Sequence, residues 1–180
     1  TISVIVRALE HDKLIVPGEV QRGRVGPPST PMFLNADGAF AIGIKIGTKS
    51  TDIVLIDFLG SARHHDEFYY ASPDVNAVIN GIGAAVSAIK SRLTDMLAER
   101  LVGVGISLPS DIDEWTGGTW REIDLEARVS SMAGLSTYIQ NDVTAAAAAE
   151  GTFGAARSLG DFLYFFVGAQ TASRLILNHH

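Results

Sequence analysis

Apolar side chains recur along residues 75–97 at Val75, Val78, Ile79, Ile82, Val86, Ile89, Leu93, Met96 and Leu97, mostly three or four positions apart. An α-helix returns a side chain to one face at those steps, so the stretch predicts a long helix with a single buried stripe. Its start is marked too: Ser72 is placed to cap it, Pro73 suits the first helical position, and Asp74 complements the positive end of the helix dipole. Elsewhere the period shortens to two. Residues 41–47 and 51–57 alternate around a tight turn. After the turn Asp57-Phe58-Leu59-Gly60, residues 61–70 read as a third strand. The short, largely apolar run 101–108 reads as a central strand covered on both faces. A helix over 125–133, a strand over 137–140, a helix over 143–150 and two closing strands over 162–167 and 172–177 follow. The first residues form a separate pattern. Ile2, Ile5, Val6 and Leu9 have helical spacing, with the Thr1 hydroxyl as a candidate cap. Pro17-Gly18 ends that element. Two strand-like pieces, 14–16 and 32–34, then flank a Gly- and Pro-rich loop over 21–31 that carries Arg22 and Arg24.

The turn Asn35-Ala36-Asp37-Gly38 is the best boundary, dividing the chain into 1–35 and 36–180. Beyond it the order β-β-β-α-β-α-β-α-β-β mixes hairpins with crossovers. That order predicts an α/β fold with a mixed sheet covered by helices. A 47% hydrophobic and 19% charged composition can fill such a core and argues against disorder. The net charge of -6 is not a nucleic-acid-binding balance for the chain as a whole. The first 35 residues, however, carry four Lys/Arg against three Asp/Glu, while the rest carries ten against seventeen. No Cys is present, so neither a disulfide nor a thiolate metal site is available. No apolar run is long enough for a membrane span, and Thr1-Ile2-Ser3-Val4 lacks the pattern of a secretion signal. The expectation is a cytoplasmic protein of which this chain is an internal part. His64-His65 and His179-His180 are adjacent pairs, and neighbours in a strand point to opposite faces, so neither pair suits one metal. No metal and no cofactor is expected.

Several segments, taken in order, carry a resemblance. They are residues 35–44, Val104-Gly105-Ile106-Ser107-Leu108-Pro109, Asn141-Asp142 before an Ala-rich helix, Phe162-Leu163-Tyr164, and Leu175-Ile176-Leu177-Asn178. The set resembles the ROK family of repressors and sugar kinases, across essentially the whole chain. The resemblance implies the first lobe of an actin-like ATPase (ribonuclease H-like) fold over 36–180. Residues 1–35 resemble the recognition helix and wing of a winged helix-turn-helix, the head that ROK repressors have and ROK kinases lack. Val4 departs from the pattern where the family often has a basic residue.

The kinases of that family place an Asp in the first strand and a Gly-Gly-Thr turn after it. Here Lys45 stands at the Asp position and Gly47-Thr48-Lys49 replaces the turn. A cation cannot ligate Mg²⁺. The second phosphate turn retains Gly168 and Thr171 but has Ala169, Gln170, Ala172, Ser173 and Arg174 around them. Phosphoryl transfer needs close backbone approach and a metal-bound phosphate, so both turns read as degenerate and no catalytic residue is assigned. The bland alternative at Lys45 is a plain hairpin with solvated lysines. Asn141 and Asp142 match the family's sugar-binding Asn and its general base, but a carboxylate at a helix start can equally be a cap. Ser110 lies in a loop that covers the sugar in the family. Trp120 fits either a pocket border or a gap in the core. Lys45 and Asp142 are expected to approach each other across the cleft.

The resemblance thus implies a DNA-binding transcriptional regulator, in the main a repressor, controlled by a sugar or sugar phosphate. An ATP-dependent sugar kinase is the alternative. Thr1, Ser3, Arg7, Arg22 and Arg24 are the implied DNA-binding residues. The implied partners are double-stranded operator DNA, a small sugar effector and further copies of the chain, as a homodimer or homotetramer.

Overall fold

A computed structural model describes residues 1–21, 29–168 and 171–178. Arg22 and Arg24, Ala169 and Gln170, and His179-His180 lie outside the described residues. The chain opens with α1 (Ile2–His11), followed by two short antiparallel strands, β1 (Ile15–Pro17) and β2 (Met32–Leu34). The paired positions Gln21 and Ser29 continue this ribbon. Thr1 sits at the N-cap of α1, but its hydroxyl makes no capping bond. Its carbonyl instead accepts from the amide of Val4 at 3.0 Å, so backbone alone closes the first turn. No residue of α1 is buried, and Ile2, Val4 and Ile5 are exposed.

The main body begins with a meander of β3 (Phe40–Ile46), β4 (Ser50–Asp57) and β5 (Ala62–Tyr69). Next come α2 (Val75–Arg92), the short α3 (Asp95–Ala98) and β6 (Leu101–Leu108), which lies parallel to β3. Then α4 (Ile112–Thr116) and α5 (Leu125–Ala133) lead to β7 (Thr137–Asn141), parallel to β6, and to α6 (Asp142–Thr152). The sheet order is β5-β4-β3-β6-β7. β8 (Phe162–Val167) and β9 (Thr171–Ile176) form a separate two-stranded hairpin that packs on α6.

Period-two alternation fixes which face is buried. Phe40, Ile42, Ile44 and Ile46 of β3 and Thr51, Ile53 and Leu55 of β4 meet the α2 stripe of Val78, Ile82, Val86 and Ile89. Three expectations need correcting. The cap of α2 is Asp74, not Ser72, because the Asp74 carboxylate accepts from the Ala77 amide at 2.8 Å. The helix also stops at Arg92, since Leu93 is extended (φ -82, ψ 140), and this leaves Met96 in α3 at 75% exposure. Finally, β6 is central but not covered on both faces: Val102 is 65% exposed. α2 and α5 pack on one face, and on the other Ala145 of α6 borders an open strip with Gly43 and Gly105.

The N-terminal ribbon is tied to the sheet at one end. The Arg100 guanidinium donates to the carbonyls of Asp12 (3.3 Å) and Gly38 (3.2 Å), and the Asn35 side-chain amide donates to the carbonyl of Lys13 at 2.7 Å. Arg63 bridges Asp37 and the buried Asp57. His64 and His65 part to opposite faces, His64 to Asp66 at 3.0 Å and His65 to Asp52 at 3.3 Å.

Candidate functional site

Two parallel strands that end side by side bring their following loops together. β6 and β7 are in register to Leu108 and Asn141, so the loop Pro109-Ser110-Asp111 faces the start of α6. Asn141 caps that helix. Its side-chain oxygen accepts from the amides of Val143 and Thr144, both at 3.1 Å. Its side-chain N–H donates to Asp142 Oδ1 at 3.3 Å, and the same oxygen accepts from the Val143 amide at 2.8 Å. The backbone N–H of Asn141 donates to the Gln140 side chain at 2.8 Å. Capping therefore consumes the Asn141 oxygen and orients the Asp142 carboxylate. Asp142 Oδ2 accepts no hydrogen bond from the described residues and stays open to a ligand hydroxyl.

These groups line a cleft of about 460 Å³ with Ser110, Asn141 and Asp142 on one side and Ser173 and Arg174 of β9 on the other. Ser110, Asn141 and Asp142 are thus brought together, as the sequence suggested. Trp120 does not join them: it is buried, and its indole N–H donates to the carbonyl of Pro73 at 3.0 Å, which fixes its loop against the start of α2.

The first turn takes the form of the plain hairpin that its sequence also allowed. Lys45 lies on the open face of the sheet, opposite Asp52 in the β3–β4 register, and shares a depression with Gly43, Gly105 and His65. Lys45 forms no ion pair with Asp142, whose donors among the described residues are Asn141 and Val143. Gly47 and Thr48 make a hairpin turn, closed by the Gly47 amide on the carbonyl of Ser50 at 2.9 Å, and neither has a positive φ. The Tyr70 hydroxyl lies 2.8 Å from the carbonyls of both Gly47 and Ser50 and 3.0 Å from the Thr51 hydroxyl. Lys49 donates to the carbonyl of Ala71 at 2.8 Å. Tyr70 was not singled out from the sequence. The available signal was a Tyr in place of a Phe at the core-facing end of an alternating strand, where only the hydroxyl distinguishes the two. Burial, first, raises its phenol above the ordinary tyrosine range.

Gly168 and Thr171 flank the β8–β9 turn and are exposed, and they do not line the cleft. On α1, Thr1, Ser3 and Arg7 are exposed, with Ser3 and Arg7 one turn apart on the same side.

A mixed five-stranded sheet in this order, with its cleft at the carboxyl ends of the parallel strands, defines an actin-like ATPase-type fold. Residues 41–180 match the ROK family, and the chain belongs to that family. The xylose repressor of Bacillus spizizenii is 26% identical over 100% of this chain and 48% of its own length. The chain therefore spans about half the length of the curated relatives it matches. Among solved structures, a ROK family transcriptional regulator described as a homolog of E. coli MLC superposes with a TM-score of 0.74 and 18% identity, over 99% of this chain and 47% of that one. A ROK family glucokinase from Streptomyces griseus, in complex with glucose and AMPPNP, superposes with a TM-score of 0.66 and 21% identity, over 79% and 46%. No helix among the described residues is long and apolar enough to cross a membrane.

Proposed function

We propose that this chain belongs to a cytoplasmic, DNA-binding transcriptional repressor whose operator affinity is set by a sugar held in the Ser110–Asn141–Asp142 cleft. The observation that carries the reading is the extent of the likeness. The xylose repressor aligns over 100% of the chain, residues 1–40 included, whereas the glucokinase covers 79%. On this reading residues 1–35 are the recognition helix and wing of a winged helix-turn-helix. α1 enters the major groove, which is wide enough for a helix, with Thr1, Ser3 and Arg7 toward DNA. Arg22 and Arg24 contact phosphates or the minor groove. Sugar binding shifts the protein between states in which the two heads of a dimer or tetramer are differently spaced. Only a sugar with unequal affinity for those states can do so. Lys45 in place of an acidic residue, and a first turn closed as a hairpin on the Tyr70 hydroxyl, support a loss of kinase activity.

The test uses the full-length protein and duplex DNA, with affinity measured across salt concentrations. Each lost phosphate contact should reduce the log–log salt slope by about 0.9, so replacing Arg22 and Arg24 together with Ala should flatten it by roughly 2. An unchanged slope removes the wing assignment, and salt-independent or absent DNA binding removes the reading as a whole. The second reading, an ATP-dependent sugar kinase, is favoured by the intact Asn141-Asp142 pair, where Asp142 would act as general base. ADP release from Mg-ATP that depends on an added hexose or pentose would establish it.

A further inference from the structure

Arg100 stands one residue before β6 and has no role in the reading above. Its main-chain carbonyl accepts from the Phe40 amide at 2.8 Å, which joins the foot of β6 to the foot of β3. Its guanidinium leaves the sheet and donates to the carbonyls of Asp12 and Gly38. Asp12 is the C-cap of α1, so its carbonyl is one of those that a helix leaves without an internal partner, at the negative end of the dipole. A guanidinium suits that position by its charge and by its fork of donors. The chain then turns at Lys13, which is left-handed with a φ of 61°. The carbonyl of Lys13 is taken by the Asn35 side chain at 2.7 Å and that of Leu14 by the Asn35 amide at 2.9 Å. Three successive carbonyls at the end of α1 are therefore held. Asn35 belongs to the boundary turn itself. Among the described residues, Arg100 makes the one hydrogen bond that reaches residues 1–34 from beyond residue 38. At its other end β6 runs out into Pro109-Ser110-Asp111, the loop that lines the cleft. The strand has eight residues, Leu101–Leu108, paired with β3 on one side and β7 on the other, so it spans about 26 Å as a stiff element. A strand held on both sides bends little. A displacement of the cleft loop on closure over a ligand is passed to the strand's foot, where it meets the end of α1.

We propose that Arg100 is the positioning residue of α1: through β6 it couples the cleft loop to the orientation of the helix that faces DNA. This rests on the repressor reading of the proposed function. The test uses the full-length protein, a duplex that the parent protein selects from a random pool, and xylose and glucose as the sugar probes. Duplex affinity is measured with and without saturating sugar, and sugar affinity by calorimetry. In the parent, one of the sugars should change duplex affinity by about tenfold or more, within the usual range of coupling between sites. Arg100→Ala should bring that ratio below about threefold while sugar affinity moves less than about threefold, because the residue lies at the far end of β6 from the cleft. Arg100→Lys, which keeps a donor for the end of α1, should restore part of the ratio. A brace with no part in coupling would instead lower duplex affinity by the same factor with and without sugar. An unchanged ratio therefore overturns the inference and leaves the repressor reading standing. So does a ratio lost together with sugar affinity, since the effect then lies in the cleft. Hydrogen exchange in the parent protein gives a reading that needs no variant. The sugar should change protection of the bonded amides of Asp12, Lys13 and Leu14 by about threefold or more, and unaltered protection there also overturns the inference. A parent whose duplex affinity neither sugar alters overturns both readings.

Discussion

Replacing Tyr70 with Phe removes one oxygen that three groups around the β3–β4 turn share, the carbonyls of Gly47 and Ser50 and the hydroxyl of Thr51. That hydroxyl has one proton. It can donate to the carbonyl of Gly47 or of Ser50, or be shared between them, and it can accept from the Thr51 hydroxyl. About two net hydrogen bonds are therefore at stake, at roughly 1 kcal/mol each. Thr51 is 0% exposed, so losing its partner also strands a buried hydroxyl, which costs about 1–3 kcal/mol unless it finds another acceptor. Tyr70→Phe should accordingly destabilise by about 2–5 kcal/mol, the low end applying where Thr51 finds another acceptor. Thr51→Val is close in shape and should cost about 1 kcal/mol, because the tyrosine can turn wholly to a carbonyl. The double variant strands no Thr51 hydroxyl and should cost less than the sum of the two. Urea unfolding of the full-length protein, followed by circular dichroism, reads all four corners of this cycle. The arrangement also fixes a pH response. Burial holds the Tyr70 phenol above its ordinary 10.0. Below pH 10.0 it is protonated both folded and unfolded, so its contribution is constant. As the pH climbs past 10.0, the unfolded chain releases the proton first, and stability falls until the folded phenol also ionises. Tyr70→Phe should flatten that alkaline decline. Single-variant costs that add to within about 0.5 kcal/mol, or an alkaline decline identical in Tyr70→Phe, would refute the assignment of Tyr70 as the brace of this turn.

Two further outcomes test the cleft and the core. Asn141→Ala should cost about 1 kcal/mol through loss of the α6 cap, and Asn141→Ser should restore most of that stability. Both should weaken sugar binding, as read by titration, and equal sugar affinity in Asn141→Ser and the parent would reduce Asn141 to a cap alone. Ile82→Ala, at a position 0% exposed beneath β3 and β4, should cost about 2–5 kcal/mol in the same urea assay, and a cost below about 1 kcal/mol would mean that α2 does not pack on the sheet as described.

What the sequence discloses here follows the range of the interaction that decides each feature. The α2 stripe and the β3–β4 hairpin are settled by residues within one or two turns of each other, and each stands close to where periodicity put it; the cap of α6 is local too, but falls to Asn141 rather than to the Asp142 carboxylate. Even the meeting of Ser110 with Asn141 and Asp142 is nearly local in logic: two parallel strands of known order must present their following loops at one edge. The misplaced features depend on what lies across the fold. Val102-Gly103-Val104-Gly105 has the composition of a strand buried on both sides, but glycine is silent about which face is covered, and only the packing of α2 and α5 on one side decides it. Leu93, Met96 and Leu97 continue the helical spacing, yet Leu93 is extended and the stripe breaks there. Lys45 was read by position alone, as the occupant of an acidic site. In the fold it belongs to a sheet face with Asp52, while the turn that follows it is held by the hydroxyl of Tyr70, some twenty residues further along the chain. The β3–β4 turn is therefore described incompletely by its own residues. Its shape rests also on the Tyr70 hydroxyl, which reaches it from just beyond β5.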